Sequence, residues 1–139
     1  MDYDESVSTL CEEAVRLSKM EGYRLFNRWK VDFKGGDLEC PHKYTERGIG
    51  ADRLLKDHRG SDFYALFEYL NDRPVGYECI RMKGDIERVI DTDCILIGKD
   101  FSWSILFSQH DEWINGPFYF RKEELPDKGI QADAEAPRR

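Results

Sequence analysis

The sequence predicts an α+β fold in which a long N-terminal helix covers one face of a mainly antiparallel sheet of about five or six strands. Two observations favour this class. Apolar residues recur at spacings of three and four near the N-terminus, and most of the later chain consists of short apolar runs separated by turn residues. Successive strands joined by short links favour antiparallel pairing. The second face of the sheet is expected to be partly solvated, or to curve onto itself as a partial barrel, and this face has room for a function.

The N-terminal helix is predicted over residues 4–21. Asp4 or Ser6 can cap its first N–H groups, and Gly22 supplies the left-handed residue that often ends a helix. The apolar stripe expected to face the sheet consists of Val7, Leu10, Cys11, Ala14, Leu17 and Met20.

From Tyr23 the apolar period changes to two, which predicts a strand that ends at Phe33. A turn in KGGD follows, and then a loop over 38–50 that lacks any sustained period. A short helix is predicted over Ala51–His58.

The later chain predicts five more strands. The first two, over Asp62–Leu70 and Val75–Met82, are joined by turn residues as a hairpin. A short helical turn is predicted in DIERVIDT, at 85–92. Three strands follow in CILIG, WSILFSQ and PFYFRK, at 94–98, 103–109 and 117–122.

Length and composition predict one globular domain over 1–125 and a flexible C-terminal tail over 126–139, because the tail has almost nothing apolar to bury. The chain has 139 residues, 40% of them hydrophobic, and a formal charge of -7. This acidity argues against nucleic acid, which requires clustered Lys and Arg, and favours a basic protein partner. No apolar stretch approaches the roughly 20 residues that span a membrane, and the first residues lack the pattern of a signal peptide, so a cytoplasmic protein without membrane contact is expected.

The four cysteines are scattered and predict reduced thiols. Cys11, Cys79 and Cys94 fall in apolar segments and are expected in the core. Cys40 and His42 could begin a zinc site or a nucleophile–base pair, but two groups do not complete either, and their closest companions in the sequence are distant. We therefore expect no metal and no cofactor.

Two further motifs carry only weak chemical signals. The glycines of ERGIGAD, Gly48 and Gly50, could approach a phosphate, but the Walker spacing and its lysine are missing. His110 and Asp111 could act as an oriented base, although adjacent side chains usually point apart and no nucleophile is evident. No catalytic residue is predicted, and a polar turn or a contact surface is expected over 110–116.

The predicted partner-binding surface combines acidic groups with an aromatic anchor. Asp91 and Asp93 belong to one acidic stretch, and Asp111 and Glu112 to another. Trp113 follows the second pair, and tryptophan in a polar loop is enriched among residues that dominate binding. These five residues are expected to meet a basic protein.

In size, charge and class, though not in motifs, the chain resembles the immunity proteins that neutralise bacterial toxins, many of which are basic nucleases. This resemblance implies a non-enzymatic binding protein with a toxin as partner. An alternative is a small-ligand-binding or hydrolytic domain that uses polar residues near the sheet face. A third is a homo-oligomer formed through an exposed edge strand or the face containing Tyr119, and the sequence does not distinguish a monomer from a homodimer.

Overall fold

The computed structural model describes residues 3–33, 43–69, 74–83, 93–108 and 116–122, with side chains described from Glu5 onward. These residues form an α+β fold around an antiparallel sheet, as predicted. In chain order its elements are α1 (Tyr3–Leu10), β1 (Cys11–Arg16), α2 (Lys19–Phe33), β2 (Glu46–Arg47), α3 (Ile49–Lys56), β3 (Phe63–Phe67), β4 (Val75–Met82), β5 (Cys94–Gly98), β6 (Trp103–Phe107) and β7 (Phe118–Arg121).

The sheet has seven strands in the order β1-β4-β3-β5-β6-β7-β2, and every neighbouring pair is antiparallel. It is open, because β1 and β2 form its two edges and do not pair with each other in the described residues. In the described residues the sheet is therefore not closed into a barrel. The expected number of strands, five or six, is also too low, because the sequence pattern predicts a helix at β1 and a loop at β2.

The long N-terminal helix is the main error of the sequence prediction. The helix ends at Leu10, and the chain continues directly into β1, in which Ala14 lies opposite Cys79 of β4. Backbone bonds flank this pairing, from Leu17 N–H to the Gly76 carbonyl at 2.9 Å and from Lys83 N–H to the Leu10 carbonyl at 2.8 Å. The free energy gained by pairing with β4 thus exceeds the weak local preference of these residues for a helix.

A second helix begins where the first was expected to end. The Ser18 hydroxyl accepts the Glu21 N–H at 3.2 Å, and a Glu21 carboxylate oxygen accepts the Ser18 N–H at 3.2 Å. This reciprocal pair is a capping box, in which two N–H groups that lack helical partners are satisfied by side chains. Gly22 lies inside the first turn of α2 and does not end a helix.

The predicted strand over 23–33 is also wrong, because these residues form most of α2. Its buried residues follow helical spacing: Gly22, Phe26, Trp29 and Phe33. The predicted strand places Tyr23 and Val31 on its buried face, but both side chains are exposed. Gly22 allows close approach to β4, since a Cβ there would lie 3.1 Å from the Pro74 carbonyl oxygen.

Both faces of the sheet are covered by core residues. On one face α1 and α3 contribute Val7, Leu10, Ala51 and Leu55 to a cluster with alternate strand residues. On the other face α2 packs Phe26, Trp29 and Phe33 against the remaining strand residues. All residues of β5 and β6 are buried, as expected for strands covered on both sides. The expected solvated face is therefore absent from the described fold.

A buried hydrogen-bond chain joins α2 to the middle of the sheet. The Trp29 indole N–H donates to the Ser104 hydroxyl at 2.7 Å, and that hydroxyl donates to the Leu96 carbonyl at 2.7 Å. Ser104 is fully buried, so both of its bonds offset the cost of removing a hydroxyl from water.

The other predicted elements agree closely with the structure. β4 and β5 have the predicted bounds, while β3, β6 and β7 are shorter at their ends. Helix α3 begins and ends two residues before the predicted short helix. The hairpin is confirmed by the pairing of Phe67 with Val75. The helical turn at 85–92 and the tail at 126–139 lie outside the described residues.

None of the helices in the described ranges is long and apolar enough to cross a membrane.

Candidate functional site

Of the five predicted partner-binding residues, the structure describes one. Asp93 is half-buried, immediately before β5. Asp91, Asp111, Glu112 and Trp113 lie outside the described residues, and so do Cys40, His42 and His110 of the weaker chemical alternatives.

The described strands define where the acidic stretches join the sheet. β5 begins at Cys94, β6 ends at Phe107, and these two residues are cross-strand partners. Asp93 and Ser108 therefore lie at the same end of two neighbouring strands, which we call the β5–β6 end. The Asp93 carbonyl accepts the Glu68 N–H at 3.3 Å, which holds the last residue before β5 against the chain leaving β3.

A shallow cleft of about 280 Å³ lies at the opposite end of the sheet. His58, just beyond α3, forms one wall and stacks on Trp103 with ring centroids 4.0 Å apart. The Nε2 atom of His58 lies 2.6 Å from the Tyr119 hydroxyl oxygen. The remaining lining residues are Ser61, Asp62, Lys99, Asp100 and Ser102.

Burial lowers the pKa of His58 below its ordinary value of 6.5. The charge of Arg121 lowers this pKa further, whereas the carboxylates of Asp57 and Asp100 oppose the shift. Neutral imidazole is thus favoured in the fold, since stacking on Trp103 removes the ring from water.

Several polar side chains of the cleft already have hydrogen-bond or ion-pair partners. The Ser102 hydroxyl donates to the Asp100 carboxylate at 2.7 Å, and the Ser102 N–H donates to the same oxygen at 3.0 Å. These two bonds hold the pKa of Asp100 below its usual value. Lys99 forms an ion pair with Glu78. The Ser102 proton is directed at Asp100 and not at His58, so the cleft does not present the arrangement of a serine nucleophile activated by histidine.

Three of the cysteines are free thiols in the core, as predicted: Cys11, Cys79 and Cys94. Burial raises the pKa of the Cys94 thiol, and a hydrogen bond with Cys11 followed by burial raises that of Cys79. Within the described ranges no three residues of metal-binding type come together.

The glycines of ERGIGAD serve the local fold. Gly48 precedes α3 with a φ of 63°, and its N–H donates to the Pro117 carbonyl at 2.9 Å. A Cβ at Gly50 would contact the Glu46 side chain. An N–H already bonded, with a carboxylate side chain nearby, is a poor cradle for phosphate.

Sequence reasoning did not identify the cluster of His58, Trp103 and Tyr119. These residues come from the chain just beyond α3, the start of β6 and the middle of β7, and only the order of strands brings them together. A single histidine beside a predicted helix end carries no local signal of its distant aromatic partners.

The described residues define a class, an α+β protein with helices on both faces of an open antiparallel sheet. Comparisons of the chain with family models, with curated proteins and with solved structures find no match.

Proposed function

We propose that this chain is a non-enzymatic acidic binding protein that masks a basic protein, and that its partner is a toxin of a bacterial toxin–immunity system. The contact surface comprises Asp91, Asp93, Asp111, Glu112 and Trp113. The observation that carries the proposal is the pairing of Cys94 with Phe107, because it joins the two acidic stretches to the same end of adjacent strands.

Chain length limits how far these groups lie from that end. Asp91 precedes Cys94 by three residues and Asp111 follows Phe107 by four, which allows at most about 10 Å and about 14 Å from each strand end. Adjacent strands are about 5 Å apart. The two stretches can therefore contribute to one contact surface around Asp93.

The filling of both sheet faces favours a binding protein over the alternative enzyme or ligand-binding domain. That alternative required an open face with convergent polar groups. Core clusters occupy both faces instead, and in the cleft beside His58 the imidazole bonds to Tyr119 and the Ser102 hydroxyl to Asp100.

Charge supports a basic partner. The formal charge of -7 attracts a basic surface over a distance that shortens with added salt. Complementary charges act mainly on association rate and specificity, while a buried tryptophan contributes contact area. A salt-sensitive complex centred on Trp113 is expected.

The test is affinity capture with three variants, Asp111→Lys, Trp113→Ala and Asp57→Lys. Proteins retained from a lysate of the source organism are eluted in salt steps and identified. The third variant is the matched control, because Asp57 is exposed, follows α3 near the opposite end of the sheet, and undergoes the same charge change as Asp111. A lysine at a helix C-terminus is also compatible with the helix dipole.

A basic protein that elutes with salt, is lost with Asp111→Lys and Trp113→Ala, and is retained by Asp57→Lys would support the surface. Co-expression of that protein with and without this chain then tests whether it is a toxin that this chain neutralises. If Asp111→Lys and Trp113→Ala bind an identified partner as well as the unmodified chain does, the surface is wrong.

A further inference from the structure

Helix α2 has a second apolar stripe, which is exposed to solvent. Five large apolar side chains are exposed in the described residues, and three of them lie on α2: Met20 (62%), Tyr23 (40%) and Val31 (61%). Asn27 is also exposed and continues the same line. Successive members are three or four residues apart, which is the spacing of one face of a helix. We call these four residues the outer stripe of α2.

The outer stripe is distinct from the core face of the same helix. Phe26, Trp29 and Phe33 are buried against the sheet, whereas every member of the outer stripe is exposed. A surface helix ordinarily presents charged and polar residues to solvent. A contiguous apolar stripe in that position, bordered by charged residues, is typical of a contact surface.

Cations lie on both flanks of the outer stripe. At about 3.6 residues per turn, Lys19 and Lys30 lie on one flank, and Arg24 and Arg28 lie on the other. Lys19 and Arg24 form no ion pair within the described ranges. Arg28 donates to an Asp32 carboxylate oxygen at 3.2 Å.

α2 is basic within an acidic chain. It has four cations and two carboxylates, which gives the helix a formal charge of +2, whereas the whole chain has -7. Both carboxylates already have partners. Glu21 accepts the Ser18 N–H, and Asp32 accepts hydrogen bonds from Arg28 and from Lys122. The flanks of the outer stripe therefore carry an excess of positive charge, which favours a negatively charged partner.

We propose that the outer stripe of α2 binds an amphipathic helix of a second, acidic protein. Apolar side chains of that helix lie against Met20, Tyr23 and Val31, and its carboxylates lie against the cations on both flanks. Apolar residues three and four positions apart are the recurring anchors of helix recognition. The charge of this surface is opposite to that of the proposed surface around Asp93, so the two surfaces select different partners.

The charges favour this occupant over two others. Packing α2 against α2 of a second copy brings two helices of the same sign together, which costs energy through repulsion. At physiological salt, charges act over about 8 Å, so a single acidic helix interacts mainly with the cations beside it. An anionic membrane meets a larger part of a chain whose formal charge is -7, and three apolar side chains bury little area in it.

The probe for the test is a helical peptide of 15 residues, the length of α2. It has leucines three and four positions apart and glutamates on both flanks, and a second peptide has lysine in place of each glutamate. Binding to the full chain is measured by fluorescence anisotropy, and changes in amide NMR shifts locate the site. The glutamate peptide is expected to bind at α2 and to weaken with added salt, and the lysine peptide is expected not to bind.

Two pairs of variants test the charge and the apolar contact separately. Arg24→Glu is expected to raise the dissociation constant of the glutamate peptide at least about tenfold. Arg59→Glu is its matched control, because Arg59 is exposed beyond α3 and forms no ion pair in the described part of the chain. Val31→Ala is expected to raise the constant about fivefold. Val15→Ala, at a side chain with the same 61% exposure on β1, is expected to leave it unchanged.

Thermal unfolding of each variant confirms that it is folded. The proposal is overturned if the glutamate peptide does not bind at up to about 1 mM, if the shift changes lie away from α2, or if Arg24→Glu and Arg59→Glu bind equally well. Binding to phosphatidylserine vesicles but not to the peptide would assign this face to a membrane instead. A dimer in sedimentation equilibrium that Arg24→Glu dissociates would assign it to a second copy, and either result overturns the proposal.

Discussion

At the scale of single residues, the structure assigns His58 a packing role. Its ring lies between Trp103, on which it stacks, and the Tyr119 hydroxyl, to which Nε2 is bonded. Because burial lowers its pKa, the unfolded chain binds a proton at His58 more readily than the folded chain does. Linkage then requires that this residue make the free energy of unfolding depend on pH.

Above about pH 6.5, neutral His58 adds to the free energy of unfolding. This contribution is lost as the pH falls through the interval between the pKa of His58 in the unfolded chain and its lower pKa in the folded chain. His58→Gln keeps a hydrogen-bonding side chain but does not titrate. We therefore expect the unmodified chain to lose more stability than His58→Gln between about pH 7.5 and about pH 5.5, measured by urea unfolding. His42 and His110 are present in both proteins and cancel in this comparison. Equal losses in both would show that the pKa of His58 does not differ between the two states.

Individual residues also show how far local sequence can mislead. The sequence predicts that Gly22 ends a helix, a common role for glycine, but Gly22 lies in α2 where the helix passes close to β4. The capping box was visible as Ser18 followed three residues later by Glu21, and it predicts a helix start. The apolar stripe that precedes Ser18 predicts a longer helix containing both residues, and this pattern conflicts with the local signal of the capping box.

At the scale of elements, the Ser18 cap sets where α2 begins. Ser18→Ala removes the hydroxyl that accepts the Glu21 N–H and is expected to lower the free energy of unfolding by about 0.5–2 kcal/mol. The measurement is the midpoint of urea unfolding, with an unchanged dependence on urea.

The matched control is Ser8→Ala. The Ser8 hydroxyl bonds to the Glu5 carbonyl within α1 and does not satisfy a helix end. We expect Ser8→Ala to change the free energy of unfolding by less than about 0.5 kcal/mol. Equal losses in Ser8→Ala and Ser18→Ala would contradict a specific role for the cap.

The elements that were predicted well are those whose local pattern and tertiary environment agree. β4 and β5 are short apolar runs bounded by turn residues, and their bounds match the prediction. In α2, by contrast, the residues satisfy two periods at once. The helical stripe of Gly22, Phe26, Trp29 and Phe33 and the alternation that includes Tyr23 and Val31 share Trp29 and Phe33, so only packing against the sheet distinguishes them.

At the scale of the whole molecule, the sheet separates two cores, and the thiols lie in one of them. Cys11, Cys79 and Cys94 are each at most 1% exposed. A reagent reaches such groups only when the fold opens, and the raised pKa values of Cys79 and Cys94 further reduce their thiolate fraction.

We expect Cys40→Ser, which retains only these three thiols, to react slowly with a thiol reagent in buffer and promptly in denaturant. The time course of absorbance or mass change measures this, and the rate in buffer should rise as urea populates open states. Free cysteine under the same conditions is the control. One thiol per molecule reacting in buffer as fast as free cysteine would contradict the described core.

The candidate site could be predicted only in part. Acidic composition and the position of Asp93 before a strand are properties of the sequence, whereas the adjacency of the β5 start and the β6 end depends on strand register. The exposed edge of β1 was not located by periodicity, because CEEAVR continues a helical pattern and becomes a strand through pairing with β4.

The sequence alone determined the α+β class, the central strands and the buried thiols, because short apolar runs must be removed from water whatever their neighbours are. Tertiary structure decided the division of residues 4–33 into a helix, an edge strand and a second helix, and it covered the face expected to be open. The physical reason is that local preferences differ by less than about 1 kcal/mol per residue, whereas pairing with β4 and burial of aromatic residues contribute more once distant segments meet.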